Sequence, residues 1–198
     1  MIALVDYGAG NLTSVRKALA AVGADVTTPR RPSDLTGADG VIVPGVGNFS
    51  RTAALDGGWR EAIVGVVERG RPLLGICVGL QWLFEGSTEA PGCPGLSIMP
   101  GECQLLKAEW PNKVPHVGWN ELEFPRTSRL FEGIQNRSQV YFTHSYAAPV
   151  TDDTIAVTTH VVPFASAVER GHVFGVQFHP EKSGDVGLRV LTNFLNAV

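Results

Sequence analysis

The sequence predicts an α/β fold whose central sheet is mostly parallel and becomes mixed in the second half of the chain. In the N-terminal half, short apolar runs alternate with segments of helical periodicity, as in successive β-α-β units. After Phe84 the pattern changes to short strand-like runs separated by turns. The 198 residues show no shift in composition that would divide them, so we expect a single domain over residues 1–198.

The N-terminal elements follow from the spacing of apolar residues and from turn residues. Asn11 is a candidate N-cap for a helix that Gly23 ends. The expected order is a strand over residues 1–6, a helix over about 11–22, strands over 24–27 and 40–43, a helix within 59–68 and a strand that ends at Cys77. In parallel sheets of this kind the functional loops lie at the carboxyl ends of the strands.

The second half of the chain predicts further strands and a closing helix. Strands are expected over residues 102–109, 121–124, 140–145 and 154–159, and two more, 165–168 and 173–178, flank a hairpin turn at 169–172. The stretch 86–100 is rich in Gly and Pro and predicts a surface loop. The closing helix starts at about Asp185, and its expected apolar face consists of Val186, Val190, Leu191, Phe194, Leu195 and Val198.

Composition excludes several classes of function. A formal net charge of -3 without a basic stripe argues against a nucleic-acid partner. No apolar run approaches the roughly 20 residues that span a bilayer, and the first residues lack the features of a secretory signal, so we expect a cytoplasmic protein that does not enter membranes. The three cysteines form no CxxC pair, which argues against disulfides and structural zinc; Cys93 and Cys103 are expected to be structural.

The most informative segment is Gly75-Ile76-Cys77-Val78-Gly79, which follows an apolar run. A residue between glycines at a strand-to-helix corner is held in a strained turn that exposes its side chain, and the next amide can help to bind an oxyanion. An isolated free cysteine is more often a small buried hydrophobe. The spacing of the glycines instead favours a nucleophile elbow with sulfur in place of oxygen.

A cysteine nucleophile needs a base, and the segment Phe178-His179-Pro180-Glu181 supplies the best candidate. His179 ends an expected strand, and residues two apart in an extended segment point to the same side, so Glu181 can orient the ring of His179. Cys77, His179 and Glu181 are therefore our candidate catalytic residues. A lone histidine would instead be read as structural.

These motifs, together with Gln81 on the helix that leaves the elbow, resemble the class I (triad) glutamine amidotransferases. The resemblance implies a three-layer, flavodoxin-like fold and a cysteine that attacks the side-chain amide of glutamine and releases ammonia. It also implies that Gln81 holds the substrate glutamine. The backbone amides of Val78 and of the Gly45-Val46-Gly47 segment, which follows an apolar strand, would form the oxyanion hole.

Five further segments, at residues 6–12, 44–49, 115–120, 141–146 and 177–183, narrow the resemblance to the glutaminase subunits of imidazole glycerol phosphate synthases. It implies that His144, Ser145 and Tyr146 help to bind glutamine. It also implies that Asn11, Trp119 and Lys182 face a separate (β/α)8 cyclase subunit, which uses the ammonia to make imidazole glycerol phosphate in histidine biosynthesis. No metal or organic cofactor is implied, and the oxyanion strand is expected to rest with a misdirected amide until the partner binds its ligand.

Two alternatives remain open at this point. The triad alone does not identify the ammonia acceptor, so the chain could be the glutaminase of another pathway, such as pyridoxal phosphate synthesis. It could also be a regulatory module on the same fold that has lost the chemistry. The presence of Cys77, Gln81, His179 and Glu181 together argues against the second alternative.

Overall fold

The central feature of the structure is a seven-stranded sheet in the order β10-β11-β12-β4-β3-β1-β2, seen in a computed structural model that describes residues 1–198. Its strands are β1 (Ile2–Leu4), β2 (Val26–Thr27), β3 (Gly40–Gly45), β4 (Leu73–Cys77), β10 (Thr154–His160), β11 (Val162–Arg170) and β12 (Val173–Val176). The pairs from β2 to β12 are parallel, whereas β12, β11 and β10 pair in antiparallel fashion. The predicted mostly parallel, partly mixed sheet is thereby confirmed.

Helices α1 (Leu12–Ala21) and α2 (Trp59–Glu68) connect parallel strands, whereas α3 (Val78–Trp82) leaves β4 and α4 (Gly184–Leu195) follows β12. Short 3-10 helices lie at Pro32–Gly37, Phe49–Leu55, Arg129–Phe131 and Pro180–Lys182. The crossover from β1 to β2 and that from β3 to β4 run in opposite directions along the sheet, so right-handed connections place α1 and α2 on opposite faces. No helix is both long and apolar enough to cross a membrane.

The order of the strands reverses between β1 and β3, because the chain adds β2 on one side of β1 and then β3 on the other. Ligands in open α/β sheets bind outside the carboxyl ends of the strands at such a switch point. The loops after β1, β3 and β4 meet there. The topology therefore places the residues after Asp6, Pro44 and Ile76 around one crevice.

The chain makes an excursion between β4 and β10 that forms two small sheets. One contains β5 (Gly86–Ser87), β6 (Glu102–Leu105) and β9 (Tyr146–Ala147), and the other pairs β7 (His116–Glu121) with β8 (Gln139–His144). The strand predicted over residues 121–124 is wrong by about five residues. Its true position was hidden because the inward-facing side chains of β7 are His116 and Asn120, which hydrogen-bond to each other rather than form an apolar face.

Two other predictions need correction. The stretch 86–100 is not simply a surface loop, because Leu96 and Met99 are buried in the core and Gly95 donates a backbone hydrogen bond to Glu85. Val198 lies beyond the end of α4 and is 41% exposed, so it is not part of that helix's apolar face. The helix itself buries Val190, Leu191 and Phe194, as its spacing predicts.

Candidate active site

Cys77 stands at the corner between β4 and α3 in a strained backbone conformation. Its φ of 55° and ψ of -110° lie outside the regions that non-glycine residues normally occupy. Such a conformation costs about 1–3 kcal/mol and persists only where the surrounding structure enforces it. This is the geometry expected of a nucleophile elbow.

The glycines around Cys77 are required by close backbone packing. A Cβ on Gly79 would fall inside contact distance of the Val43 carbonyl oxygen, and a Cβ on Gly75 would collide with the backbone of Gly79. The first turn of α3 therefore lies directly on β3 and β4. This packing fixes the corner that carries the sulfur. Contrary to the expected exposure, Cys77 is only 3% exposed, and it is reached through the cavity that it lines.

His179 and Glu181 form a buried pair beside the elbow. His179 follows β12, the strand next to β4, and its Nδ1 lies 2.8 Å from Glu181 Oε1. Their side chains are 2% and 1% exposed. The 3-10 helix at Pro180–Lys182 turns the chain between them, so the carboxylate reaches back to the ring.

The second ring nitrogen of His179, Nε2, is buried and makes no hydrogen bond of normal geometry. The Cys77 thiol and the Glu181 carboxylate nevertheless both influence the charge of the ring. Burial lowers the pKa of His179, but interactions with Cys77 and then with Glu181 outweigh burial and raise it to about 9. The arrangement thus favours the protonated imidazolium form of His179 beside the sulfur.

Two glutamines connect the nucleophile to the adjoining pocket. Gln177 Nε2 lies 3.6 Å from Cys77 Sγ, and Gln177 Oε1 accepts a hydrogen bond of 3.2 Å from Gln81 Nε2. Gln81 Nε2 also donates to the Tyr146 carbonyl at 2.9 Å. Gln81 Oε1 is consequently the free end of the amide, buried and without a partner. It is available to accept a hydrogen bond from a small polar ligand.

A cavity of about 330 Å³ opens beside Cys77. That volume lies at the lower end of the range for small-molecule sites, which suits a ligand of amino-acid size. Glu89 supplies a carboxylate there, with Oε2 held by the Phe49 amide at 2.8 Å. The residues lining the cavity are Val46, Gly47, Cys77, Val78, Gln81, Glu89, Pro115, Thr143, His144, Ser145 and Tyr146.

The side chain of His144 is fully engaged by the protein. Its Nδ1 lies 2.9 Å from the Tyr146 carbonyl and must donate to it, and its Nε2 lies 3.0 Å from His116 Nδ1. The imidazole ring is therefore not free to bind glutamine. Any contribution of His144 to a ligand comes from its backbone or from holding residues 144–146 in place.

The segment expected to complete the oxyanion hole points its amide away from the cavity. Val46 N–H donates a 2.9 Å hydrogen bond to the Ala9 carbonyl in the loop after β1. Gly45 ends β3 opposite Cys77, and Gly47 has a φ of 90°. With the Val46 amide turned away, the backbone amide of Val78 is the remaining expected donor to an oxyanion. The amide of Val46 has to turn before it can take part.

Comparison with known proteins agrees with this geometry. The family model for "Glutamine amidotransferase class-I" matches residues 3–198. The chain belongs to the class-I glutamine amidotransferase family. Proteins named "Imidazole glycerol phosphate synthase subunit HisH" from Moorella thermoacetica and Methanothermobacter thermautotrophicus are 49% and 43% identical to it. The alignments cover 98% and 100% of this chain and 93% and 99% of those proteins.

Solved structures share the fold of this amidotransferase at low sequence identity. A structure described as a glutamine amidotransferase superposes with a TM-score of 0.77 at 20% identity, over 100% of this chain and 98% of that one. PurLQS from Thermotoga maritima gives a TM-score of 0.74 at 19% identity, over 98% and 97%. The predicted fold class is confirmed.

The three residues expected to face a partner occupy different surroundings in this amidotransferase. Trp119 is 55% exposed on β7, and its ring meets Tyr141 edge to face. The Lys182 ammonium lies 5.7 Å from the centre of the same Tyr141 ring. Asn11 caps α1 by accepting a hydrogen bond from the Ser14 amide. Trp119 and Lys182 therefore belong to one exposed cluster around Tyr141, whereas Asn11 has a structural role of its own.

Sequence reasoning missed Gln177 and Glu89 as members of the site. Gln177 stands two residues before His179 on the same extended segment, so alternation would have placed both side chains on the nucleophile's side. Glu89 lies in the stretch that we assigned to a surface loop, and no local signal connects it with Cys77.

A larger cavity, of about 790 Å³, lies elsewhere, around Phe124, Arg129 and Glu169, and neither cysteine nor histidine lines it. No group of three or more His, Cys, Asp or Glu side chains is arranged to hold a metal ion.

Proposed function

We propose that this chain is the glutaminase subunit of an imidazole glycerol phosphate synthase. The observation that carries the proposal is that Cys77 lines the cavity of about 330 Å³ while the buried His179–Glu181 pair acts on it from behind. The full-length relatives named as HisH subunits support the pathway, since they are up to 49% identical to this chain. A glutaminase for pyridoxal phosphate synthesis is not favoured by these relatives.

The reaction begins at the elbow. Glutamine binds with its carboxamide over Cys77, where Gln81 Oε1 accepts a hydrogen bond from it and Glu89 and the backbone at Ser145 and Tyr146 hold its other end. The Cys77 thiolate attacks the amide carbon, and the carbonyl π electrons move to oxygen. The Val78 amide stabilises the resulting oxyanion.

Collapse of the tetrahedral intermediate breaks the C–N bond. His179 donates its proton to the departing nitrogen, which leaves as ammonia, and a glutamyl thioester remains on Cys77. His179, now neutral, takes a proton from water as the water attacks the thioester. Glutamate leaves, and the thiolate–imidazolium pair is restored. Glu181 holds the ring throughout through its 2.8 Å hydrogen bond to Nδ1.

The ammonia passes to a (β/α)8 cyclase subunit; the relatives' description as a subunit of a synthase supports such a partner. The exposed cluster of Trp119, Tyr141 and Lys182, with Asn11, is the proposed contact surface. Aromatic residues of this kind are typical of interface centres. The resting bond between Val46 and Ala9 leaves the oxyanion hole incomplete, so full activity requires that the partner turn this segment.

A reconstituted complex tests the proposal. Cys77→Ala is expected to abolish synthesis of imidazole glycerol phosphate from glutamine while leaving synthesis from added ammonium salt at the wild-type rate. Continued use of glutamine by this variant would refute the role of Cys77. A wild-type subunit that neither binds the cyclase nor supports the synthesis would refute the assigned pathway.

A further inference from the structure

The hydroxyl of Tyr7 is buried and has no hydrogen-bond partner. Tyr7 follows β1, and its ring packs against the hydrophobic core. A buried hydroxyl without a partner is uncommon in a native protein and costs stability. Nothing in the reaction described above uses this group.

The Tyr7 hydroxyl lies between the oxyanion segment and the start of α3. A Cβ built on Gly45 would fall inside contact distance of Tyr7 Oη, and the same point is 2.7 Å from Val78 Cβ and 2.9 Å from the Gly79 nitrogen. Burial, and next the charge of Cys77, raise the pKa of Tyr7. The phenol therefore stays protonated and is a hydrogen-bond donor beside the nucleophile.

The loop that carries Tyr7 also holds the oxyanion segment in its resting state. The Ala9 carbonyl accepts the Val46 amide at 2.9 Å, and a Cβ on Gly10 would stand 3.2 Å from Pro44 Cγ. Arg51 ties the loop from the other side by donating to the Gly8 carbonyl at 2.7 Å.

The Gly45 C=O and the Val46 N–H point in opposite directions, because the peptide that they share is trans and planar. With the Val46 N–H directed at Ala9, the Gly45 carbonyl points away from the Tyr7 loop. Turning the peptide toward the cavity frees the Ala9 carbonyl and brings the Gly45 carbonyl round to the loop. The carbonyl oxygens of Ala9 and Gly45, which are both hydrogen-bond acceptors, would then face each other, so a hydrogen-bond donor is needed there.

We infer that Tyr7 is a positioning residue for the active state, in which its hydroxyl donates a hydrogen bond to the Gly45 carbonyl after the Gly45–Val46 peptide turns. The bond is absent at rest and present when the Val46 amide faces the substrate oxyanion. Tyr7 thereby favours the turned segment over the resting one. This inference rests on the proposed function.

Tyr7→Phe tests it, since only the hydroxyl is removed. The measured quantity is the ratio of glutamate release by the complex with the cyclase subunit in the presence and absence of imidazole glycerol phosphate. We expect this ratio to fall about three- to tenfold, the effect of one neutral hydrogen bond. The melting temperature of the subunit should stay constant or rise, because an unpaired buried hydroxyl has been removed.

Thr52→Val is the matched control. It removes a buried hydroxyl from the 3-10 helix after the oxyanion segment, where Thr52 Oγ1 donates to the Phe49 carbonyl at 2.9 Å. Its ratio should equal that of the wild type. A ratio for Tyr7→Phe equal to that of the wild type would overturn the inference. That includes the case in which the melting temperature falls and glutamate release drops equally with and without imidazole glycerol phosphate, since this would show a purely structural role. If the wild-type complex itself releases no glutamate, the proposed function fails instead.

Discussion

Glu181 Oε1 accepts a hydrogen bond from His179 Nδ1 at 2.8 Å while both side chains are almost fully buried, so a single carboxylate fixes the orientation of the imidazole. The other carboxylate oxygen, Glu181 Oε2, has no hydrogen-bond partner, so the carboxylate hydrogen-bonds only to the His179 ring. Burial lowers the pKa of His179, but Cys77 and then Glu181 outweigh burial and raise the pKa to about 9.

Replacement of this carboxylate should change both the rate and the pH profile. We expect Glu181→Gln to lower glutaminase kcat/KM by about 100-fold or more, within the range of general acid–base effects. The alkaline limb, which in the wild type should follow the His179 pKa near 9, should move to lower pH because the variant loses a group that raises it. The measurement is kcat/KM for glutamate release between pH 6 and 10.

Glu85→Gln is the control, since Glu85 is exposed and carries the same charge. Its pH profile should match that of the wild type. An alkaline limb that stays in place in Glu181→Gln would contradict the assigned role of the carboxylate.

Gln177 should matter because its Nε2 lies 3.6 Å from the nucleophile. Gln177→Met keeps the length of the side chain and removes the donor. We expect kcat for glutamate release to fall about tenfold or more, as for a hydrogen bond to a charged group. Gln104→Met, at an exposed position on β6, should leave kcat unchanged. Equal rates for both variants would exclude Gln177 from the site.

The packing of the elbow predicts opposite effects at two helical glycines. Gly79→Ala places a Cβ against the Val43 carbonyl oxygen, so we expect the free energy of unfolding to fall by about 2–4 kcal/mol. Gly65→Ala in α2 meets only the Arg69 side chain at 3.5 Å and should raise it by about 0.4–1 kcal/mol. Urea denaturation measures both. A stabilising Gly79→Ala would show that α3 does not lie directly on β3.

The histidine pair behind the cavity predicts a loss of stability in acid. Burial lowers the pKa of His116 to about 4 and that of His144 to about 3. The unfolded chain takes up protons at these residues near pH 6.5, whereas the folded chain does not. The free energy of unfolding should therefore decrease as the pH falls from about 6.5 toward 4, by up to about 1.4 kcal/mol per pH unit for each histidine.

Urea unfolding at a series of pH values checks this prediction. His116→Asn should make the acid slope shallower, because one of the two histidines is gone. His172→Gln, in the exposed hairpin turn, should leave the slope as in the wild type. An unchanged slope in His116→Asn would contradict the buried neutral pair.

Local patterns predicted the elements that carry the nucleophile and its base. The apolar run and flanking glycines identified β4 and the corner at Cys77, and α2 occupies the range within which a helix was predicted. The structure adds the physical reason, since Gly75 and Gly79 serve close packing of the backbone.

The excursion from residue 86 to residue 147 was harder to predict, because its elements are short and its buried groups are partly polar. His116 and Asn120 face inward on β7 but satisfy each other, which hides the strand from an apolar pattern. The resting direction of the Val46 amide was expected only from the family resemblance. It depends on the Ala9 carbonyl, 37 residues earlier in the chain, and no spacing within the segment reveals it.

The most direct test of the account is a covalent trap of the nucleophile. The wild-type subunit, in complex with the cyclase, is incubated with an electrophilic glutamine analogue and digested, and the modified peptide is identified by mass spectrometry. We predict one adduct, on Cys77, that is suppressed by excess glutamine and absent from Cys77→Ala. Modification of Cys93 or Cys103 instead, or an adduct on Cys77 that glutamine does not suppress, would contradict it.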